Sequence, residues 1–465
     1  SSPRPPRRSR ISTGRRRSRL STGPHRYRRD PQDDSRLWTP QLRDGHSSGM
    51  ESNDIDVYRV PTTSAPPGAD GSREVRIKYG FRAWICNAPA DLPRWEIWEA
   101  IALARIAAVN GSLESTPTFV GSSALLLHGI TGWVKNPDVT IHIDARRRTT
   151  WLPEVLFGDV RIPPVRVSCR RSRPLTGEPS LHGSGFLVES PQDALLRVVM
   201  GDEQLPAFVL ACMAMRAWAP FNASDQEDAR KKEALIKARL AEILDARAPG
   251  RGTRRGSRIL RAADAGCENP AEAALLWVVL TVSPLPVVTQ HEIRLGGRTY
   301  YADIAVVDLK IIFEFDGLAK LGSSKAEIEA EKRRWVLRDE ALRDDGWKVI
   351  RVCWADFEDF HALRQRIRRA FSSTRSLSPP PCAPLWAVPS EDCDGPDRRI
   401  HSSAPVSADT RRKAPQHRGG GSPQSSSTGG IDRGAHTAER RTPAVGLTQR
   451  TRTLLVDPDP PDWTE

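Results

Sequence analysis

The sequence has no apolar run near the ~18 residues that a membrane-spanning helix needs, and its Arg-rich start lacks the apolar stretch of a secretion signal. Its seven cysteines, Cys86, Cys169, Cys212, Cys267, Cys353, Cys382 and Cys393, form no CxxC pair and no zinc spacing. That pattern excludes a disulfide-stapled secreted module and a structural zinc site. His128, His142 and His182 are isolated from one another, so each reads as a hydrogen-bonded structural histidine rather than a ligand. Together these absences predict a cytoplasmic protein with reduced thiols and no membrane partner.

What is abundant is arginine, unevenly placed. Residues 1–50 hold 13 Arg and 4 Asp, so +9 of the overall +13 belongs to them, whereas residues 372–465 are nearly balanced with 12 basic and 11 acidic side chains. Residues 1–53 are Arg, Pro and Ser with little apolar periodicity, which predicts a disordered basic arm whose charge attracts nucleic acid phosphates. Residues 372–465, with SPPPCAP and RGGGSPQSSSTGG, are low in complexity and predict a second disordered tail.

Between the tails, the stretch YYADIAVVDLKIIFEFDG, residues 300–317, organises the chain. Two β-branched and aromatic runs flank a polar break at Asp308, the pattern of a hairpin. Alternation across a strand sends Glu314 and Asp316 to one face and Ile311, Phe313 and Phe315 to the other. Ten residues separate Asp303 from Glu314, so a turn near Asp308 brings the two together. Carboxylates in so apolar a segment call for a bound cation or a basic partner.

The flanking signals are also readable. Residues 73–84 read as one strand, Leu92 to Val109 as a helix with one buried stripe, and Ser122 or Ser123 as the cap of a short helix that stops at Gly129. Val139–Ile143 and Val165–Cys169 read as strands, and Ser190-Pro191 opens a helix with Asp193 in its first turn. A charged helix spans about 226–246. Arg254, Arg258 and Arg261 then fall at i, i+4 and i+7, a basic stripe that suits either solvent or phosphate. Asn269, Pro270 and Glu272 form a capping box ahead of AALLWVVLTV. Gly296-Gly297 makes a hairpin turn, Lys325 to Asp345 is a long helix stopped by Gly346, Trp347 to Trp354 is a strand, and Asp356 starts the last helix. The order is αβββαβα, an α/β sheet covered by helices.

That order, with Asp303, ten residues and Glu314-Phe-Asp316, resembles the restriction-endonuclease-like superfamily. YADIA, EFDGLAK and AEKRRWVLRDEALRDDGWKVIRVCWADF look like its very-short-patch-repair-type branch, as found at the C-terminus of actinobacterial proteins. Upstream, GSSALLLHGI and ESPQDALL resemble the AbiEi-type antitoxins of type IV toxin–antitoxin systems. The resemblance covers about residues 75–371. It implies a mixed antitoxin-like α+β region over 54–262 and an endonuclease-like α/β domain over 263–371.

The implied function is a Mg²⁺-dependent DNA endonuclease or nicking enzyme, in repair or phage defence, with Asp303 and Glu314 holding the metal. The superfamily's usual Lys two residues after the Glu is here Asp316, so Lys320 or Lys310 would have to supply the positive charge, and Glu272 would be an additional acid. Each also has a plain structural reading: Glu272 caps its helix, Asp316 starts the turn at Gly317, and Lys320 is solvated. The alternative that the same resemblance implies is a non-catalytic regulator that binds DNA or a cognate toxin.

Overall fold

The computed structural model describes residues 36–38, 55–60, 74–85, 94–143, 149–170, 175–182, 185–248, 250–317, 325–372, 379–387 and 389, without the side chains of 36–38, 56, 325–332, 334 and 335. The described chain is α/β throughout. Strands β1 (Arg36–Trp38), β2 (Ile55–Arg59), β3 (Glu74–Lys78) and β4 (Phe81–Ile85) form an antiparallel sheet in the order β1-β2-β4-β3. Two expectations change here. Arg36–Trp38, inside the arm expected to be disordered, pairs with β2. The single strand expected over 73–84 is a hairpin, because Gly80 takes φ 76° and reverses the chain.

Helix α1 (Arg94–Gly111) is apolar on more than the expected stripe and is buried almost all round. It lies between the first sheet and the loops of the next, which Arg105 ties together. That side chain is 0 % exposed and donates to Asn136 Oδ1 at 2.5 Å, Pro153 O at 3.0 Å and Pro163 O at 2.8 Å. Burial pulls its pKa down to about 10, although Asp138 acts the other way.

The second sheet is assembled from β5 (Thr118–Phe119), β6 (Val139–His142), β7 (Thr150–Leu152), β10 (Val165–Arg170), β11 (Ser180–Leu181) and β12 (Leu187–Val188), in the order β11-β12-β5-β6-β10-β7. β8 (Val155–Phe157) and β9 (Val160–Ile162) form a separate hairpin. α2 (Ser122–Leu127) starts at Gly121 without a side-chain cap, because the Ser123 hydroxyl instead accepts from Thr140 N at 2.8 Å and so fastens the helix to β6. α3 (Pro191–Gly201) is capped as expected, with Ser190 Oγ accepting from Asp193 N. α4 (Gln204–Trp218) follows, then α5 (Glu227–Asp245) and α6 (Thr253–Ala262).

The C-terminal part follows the expected order: α7 (Pro270–Val282), β13 (Val288–Leu295), β14 (Arg298–Val306), β15 (Ile311–Phe315), α8 (Lys325–Asp344), β16 (Lys348–Val352) and α9 (Phe360–Ala370). The sheet runs β13-β14-β15-β16, antiparallel except that β16 lies parallel to β15. Gly296 and Gly297, at φ 55° and 76°, make the first turn. Ile304, Val306, Ile311, Phe313 and Val352 join the main core. Ala305 and Ile312 join a smaller one with Leu342 of α8 and Trp347. α9 begins at Phe360 rather than near Asp356, because Asp359 caps it by accepting from Ala362 N.

The main core does not stop at residue 262. α4 packs on α7, and the Trp133 ring stacks on Trp354 at 5.9 Å. Part of the stretch expected to be a disordered tail is packed: in residues 379–387 Leu385 is 2 % exposed, Trp386 stacks on Trp277 at 4.8 Å, and Trp277 Nε1 donates to Leu385 O at 3.1 Å. A leucine and a tryptophan amid prolines were enough to dock a segment whose composition reads as disordered. Among the described residues no helix is long and apolar enough to cross a membrane.

Candidate acidic site on the C-terminal sheet

The site is built by register. β14 and β15 pair Ala305 with Ile312 and Ile304 with Phe313, and one further step sets Asp303 opposite Glu314. Directly opposed residues of an antiparallel pair point to the same face, here the face that carries Ile312 and meets α8. The Asp303 carboxylate bends over the strand end and accepts from Phe315 N at 3.0 Å. On the other side of β15, Glu314 is in register with Arg351 of the parallel strand β16.

Glu314 is only 4 % exposed, and its charge is met by arginines. Arg338 of α8 donates to Oε1 at 2.5 Å, and Arg351 pairs with Oε2 at 3.1 Å. Arg338 also donates to Tyr301 O at 2.8 Å, which fixes α8 to β14, while its Nε is buried and makes no hydrogen bond among the described residues. Asp339 closes the network, accepting from Arg351 at 2.7 Å and from Arg343 at 2.6 Å. Of the two explanations for a buried carboxylate, a cation or a basic partner, the described arrangement supplies the basic partner.

Other predicted residues fall elsewhere. Asp316 follows β15 directly, its backbone N–H donating to Val352 O at 2.7 Å. Lys320 lies outside the described residues. Lys310 sits at the opposite end of β15, roughly 13 Å from Glu314 at the usual rise of a strand, and holds Asp345 through Oδ2 at 3.0 Å. It supplies no charge to this site. Glu272 is a cap: it is 4 % exposed, accepts from Glu268 N at 2.7 Å and from Asn269 Nδ2 at 2.9 Å, and Asn269 Oδ1 accepts from Glu272 N at 3.0 Å. That reciprocal pattern satisfies the helix start, the structural reading of Glu272.

The two arginines were missed by sequence reasoning. Arg338 belonged to a segment read as a long helix and Arg351 to one read as a strand, neither with a partner for Glu314. The signal was present, since Arg351 shares strand parity with Glu314 once the β15–β16 pairing is known. Two of the three histidines show the expected hydrogen bonds. His128 Nε2 lies 2.9 Å from Glu189 O, and His142 Nδ1 lies 2.8 Å from Arg170 O. His128 and His182, distant in sequence, meet edge to face at 5.1 Å.

Basic side chains line the sheet at β16. A shallow cleft of about 370 Å³ beside β16 is lined by Lys348, Arg351, Arg366 and Arg369. Arg254, Arg258 and Arg261 of α6 are all exposed. Compared with known proteins, the chain matches no family model, and no curated protein or solved structure matches it.

Proposed function

We propose that the C-terminal part is a restriction-endonuclease-like domain that hydrolyses DNA phosphodiester bonds, with Asp303 and Glu314 as its acidic pair. What supports this reading is the β14–β15 register, which continued by one step brings Asp303 and Glu314 to opposed positions on the sheet face beneath α8. Two strand-borne carboxylates are hard oxygen donors, and Mg²⁺ is commonly held by one or two such groups, with water and substrate phosphate completing its shell. Asp303 and Glu314 would hold it. The ion would activate water and offset charge on the scissile phosphate.

Each oxygen of Glu314 accepts one guanidinium N–H and retains a further lone pair, so the donor set suits a cation once the like charge of Arg338 or Arg351 is drawn away. A DNA phosphate gives both arginines an alternative partner. The basic residues beside β16 and on α6 supply sequence-independent attraction to the backbone. Supercoiled plasmid incubated with Mg²⁺ or Mn²⁺ should be nicked or linearised by the wild-type chain and left intact by Asp303→Asn.

One observation favours a second reading. Because Glu314 is already neutralised by two arginines, the same fold is stable as a non-catalytic DNA-binding or antitoxin-like regulator. No cleavage with any divalent ion, or equal cleavage by the mutant, would select it.

A further inference from the structure

A cavity of about 690 Å³ lies away from the acidic site, within the size range of small-molecule pockets. It is walled by α1, the 130–138 segment, β6, β10 and the α3–α4 junction. Trp95, Trp98 and Glu99 share one wall because positions i, i+3 and i+4 of a helix lie on one face. Trp133, held from behind by its stack on Trp354, lines another side.

The cations of this cavity are already engaged. Arg166 pairs with Asp138 at 2.9 Å, Arg170 with Asp202 at 3.6 Å, and the Lys135 ammonium sits 5.6 Å from the centre of the Trp354 ring. Glu99 is different. Among the described residues its carboxyl makes no hydrogen bond and no ion pair, and the charge acting on it is that of Glu96, of the same sign. Burial first, and Glu96 second, push its pKa up to about 7.

We propose that this cavity binds a small organic cation, an ammonium or amidinium group on an apolar body, with Glu99 as its counter-ion and the Trp95 and Trp98 rings as its cation–π wall. An anion would meet only cations that already have partners. A neutral apolar guest would leave the Glu99 carboxyl desolvated and still unpaired. A cation supplies the missing charge and offers its body to the indoles.

The test is calorimetric titration of the full-length chain with 2-phenylethylamine and choline as cations and phenylacetate as the anion of matching shape. Both cations should bind and phenylacetate should not. Glu99→Gln, which keeps the shape and removes the charge, should weaken cation binding at least tenfold while unfolding at or above the wild-type temperature. Should that variant fail to fold, Trp95→Leu carries the same decision, with the same weakening expected. Absence of heat with either cation up to about 10 mM, equal binding of phenylacetate, or unchanged cation binding in Glu99→Gln or Trp95→Leu would overturn the proposal.

Discussion

Glu314 shows how little a residue type reveals without its neighbours. Its strand parity announced a carboxylate on the face opposite Phe313, but the arginines that stabilise it come from α8 and β16, whose positions depend on the crossover. Arg351 bridges Glu314 at 3.1 Å and Asp339 at 2.7 Å, so Arg351→Ala leaves a buried carboxylate half compensated. It should cost about 3 kcal/mol, read by chemical denaturation. A loss within about 0.5 kcal/mol would mean that the network is no more than a surface arrangement.

Glu99 makes a second prediction at this scale. With its pKa raised from the usual 4.5 to about 7, the native state keeps a proton that the unfolded chain releases. The associated stability is fully present below pH 4.5 and is lost as pH rises through about 7. Glu99→Gln should flatten that part of the pH profile and gain on the order of 2 kcal/mol at pH 8. Parallel wild-type and mutant profiles between pH 5 and 8 would contradict it.

Elements were legible where a period or a cap marks them. Asn269 and Glu272 fixed the start of α7, Gly296-Gly297 the β13–β14 turn, and Gly346 the end of α8. α4 was not legible, since QLPAFVLACMAMRAW is apolar on every side and carries no stripe to detect. The same buried surroundings made α1 a core helix rather than an amphipathic one. Close approaches between elements were invisible too. Gly252 caps α6 at φ 83°, and a Cβ there would lie 2.2 Å from Met200 O at the end of α3. Gly252→Ala should therefore destabilise by on the order of 3 kcal/mol. Gly158→Ala, also at positive φ but with nothing within 4 Å, should cost only about 1 kcal/mol. Equal shifts of the two thermal midpoints would show that backbone conformation, not the contact with α3, sets the cost.

For the molecule as a whole, composition did not mark the parts of the expected tails that join the fold, Arg36–Trp38 and residues 379–387; nearly all the rest of both tails lies outside the described residues. The core passes from α4 into α7 and on to Trp386, so the stretch after 372 contributes to stability. Ending the chain at 378 uncovers Trp277 and should cost about 2–4 kcal/mol, seen as a lower thermal midpoint. An unchanged midpoint would mean that residues 379–387 merely rest on the surface. The αβββαβα order and the Asp303–Glu314 pairing were readable because both follow from strand alternation and turn residues. The Trp-lined cavity was not, because its walls come from segments far apart in the chain.

The measurement that tests the central claim most directly compares cutting with binding in one DNA titration. On the proposed reading, removing the Glu314 charge would take away a ligand for the metal but none of the arginines that would meet phosphate. Glu314→Gln should therefore lose Mg²⁺-dependent cleavage by about a hundredfold or more while its DNA affinity at fixed salt stays equal to the wild type or rises. Cleavage and affinity falling together, or cleavage surviving in Glu314→Gln, would contradict the assignment of Asp303 and Glu314 as the hydrolytic pair.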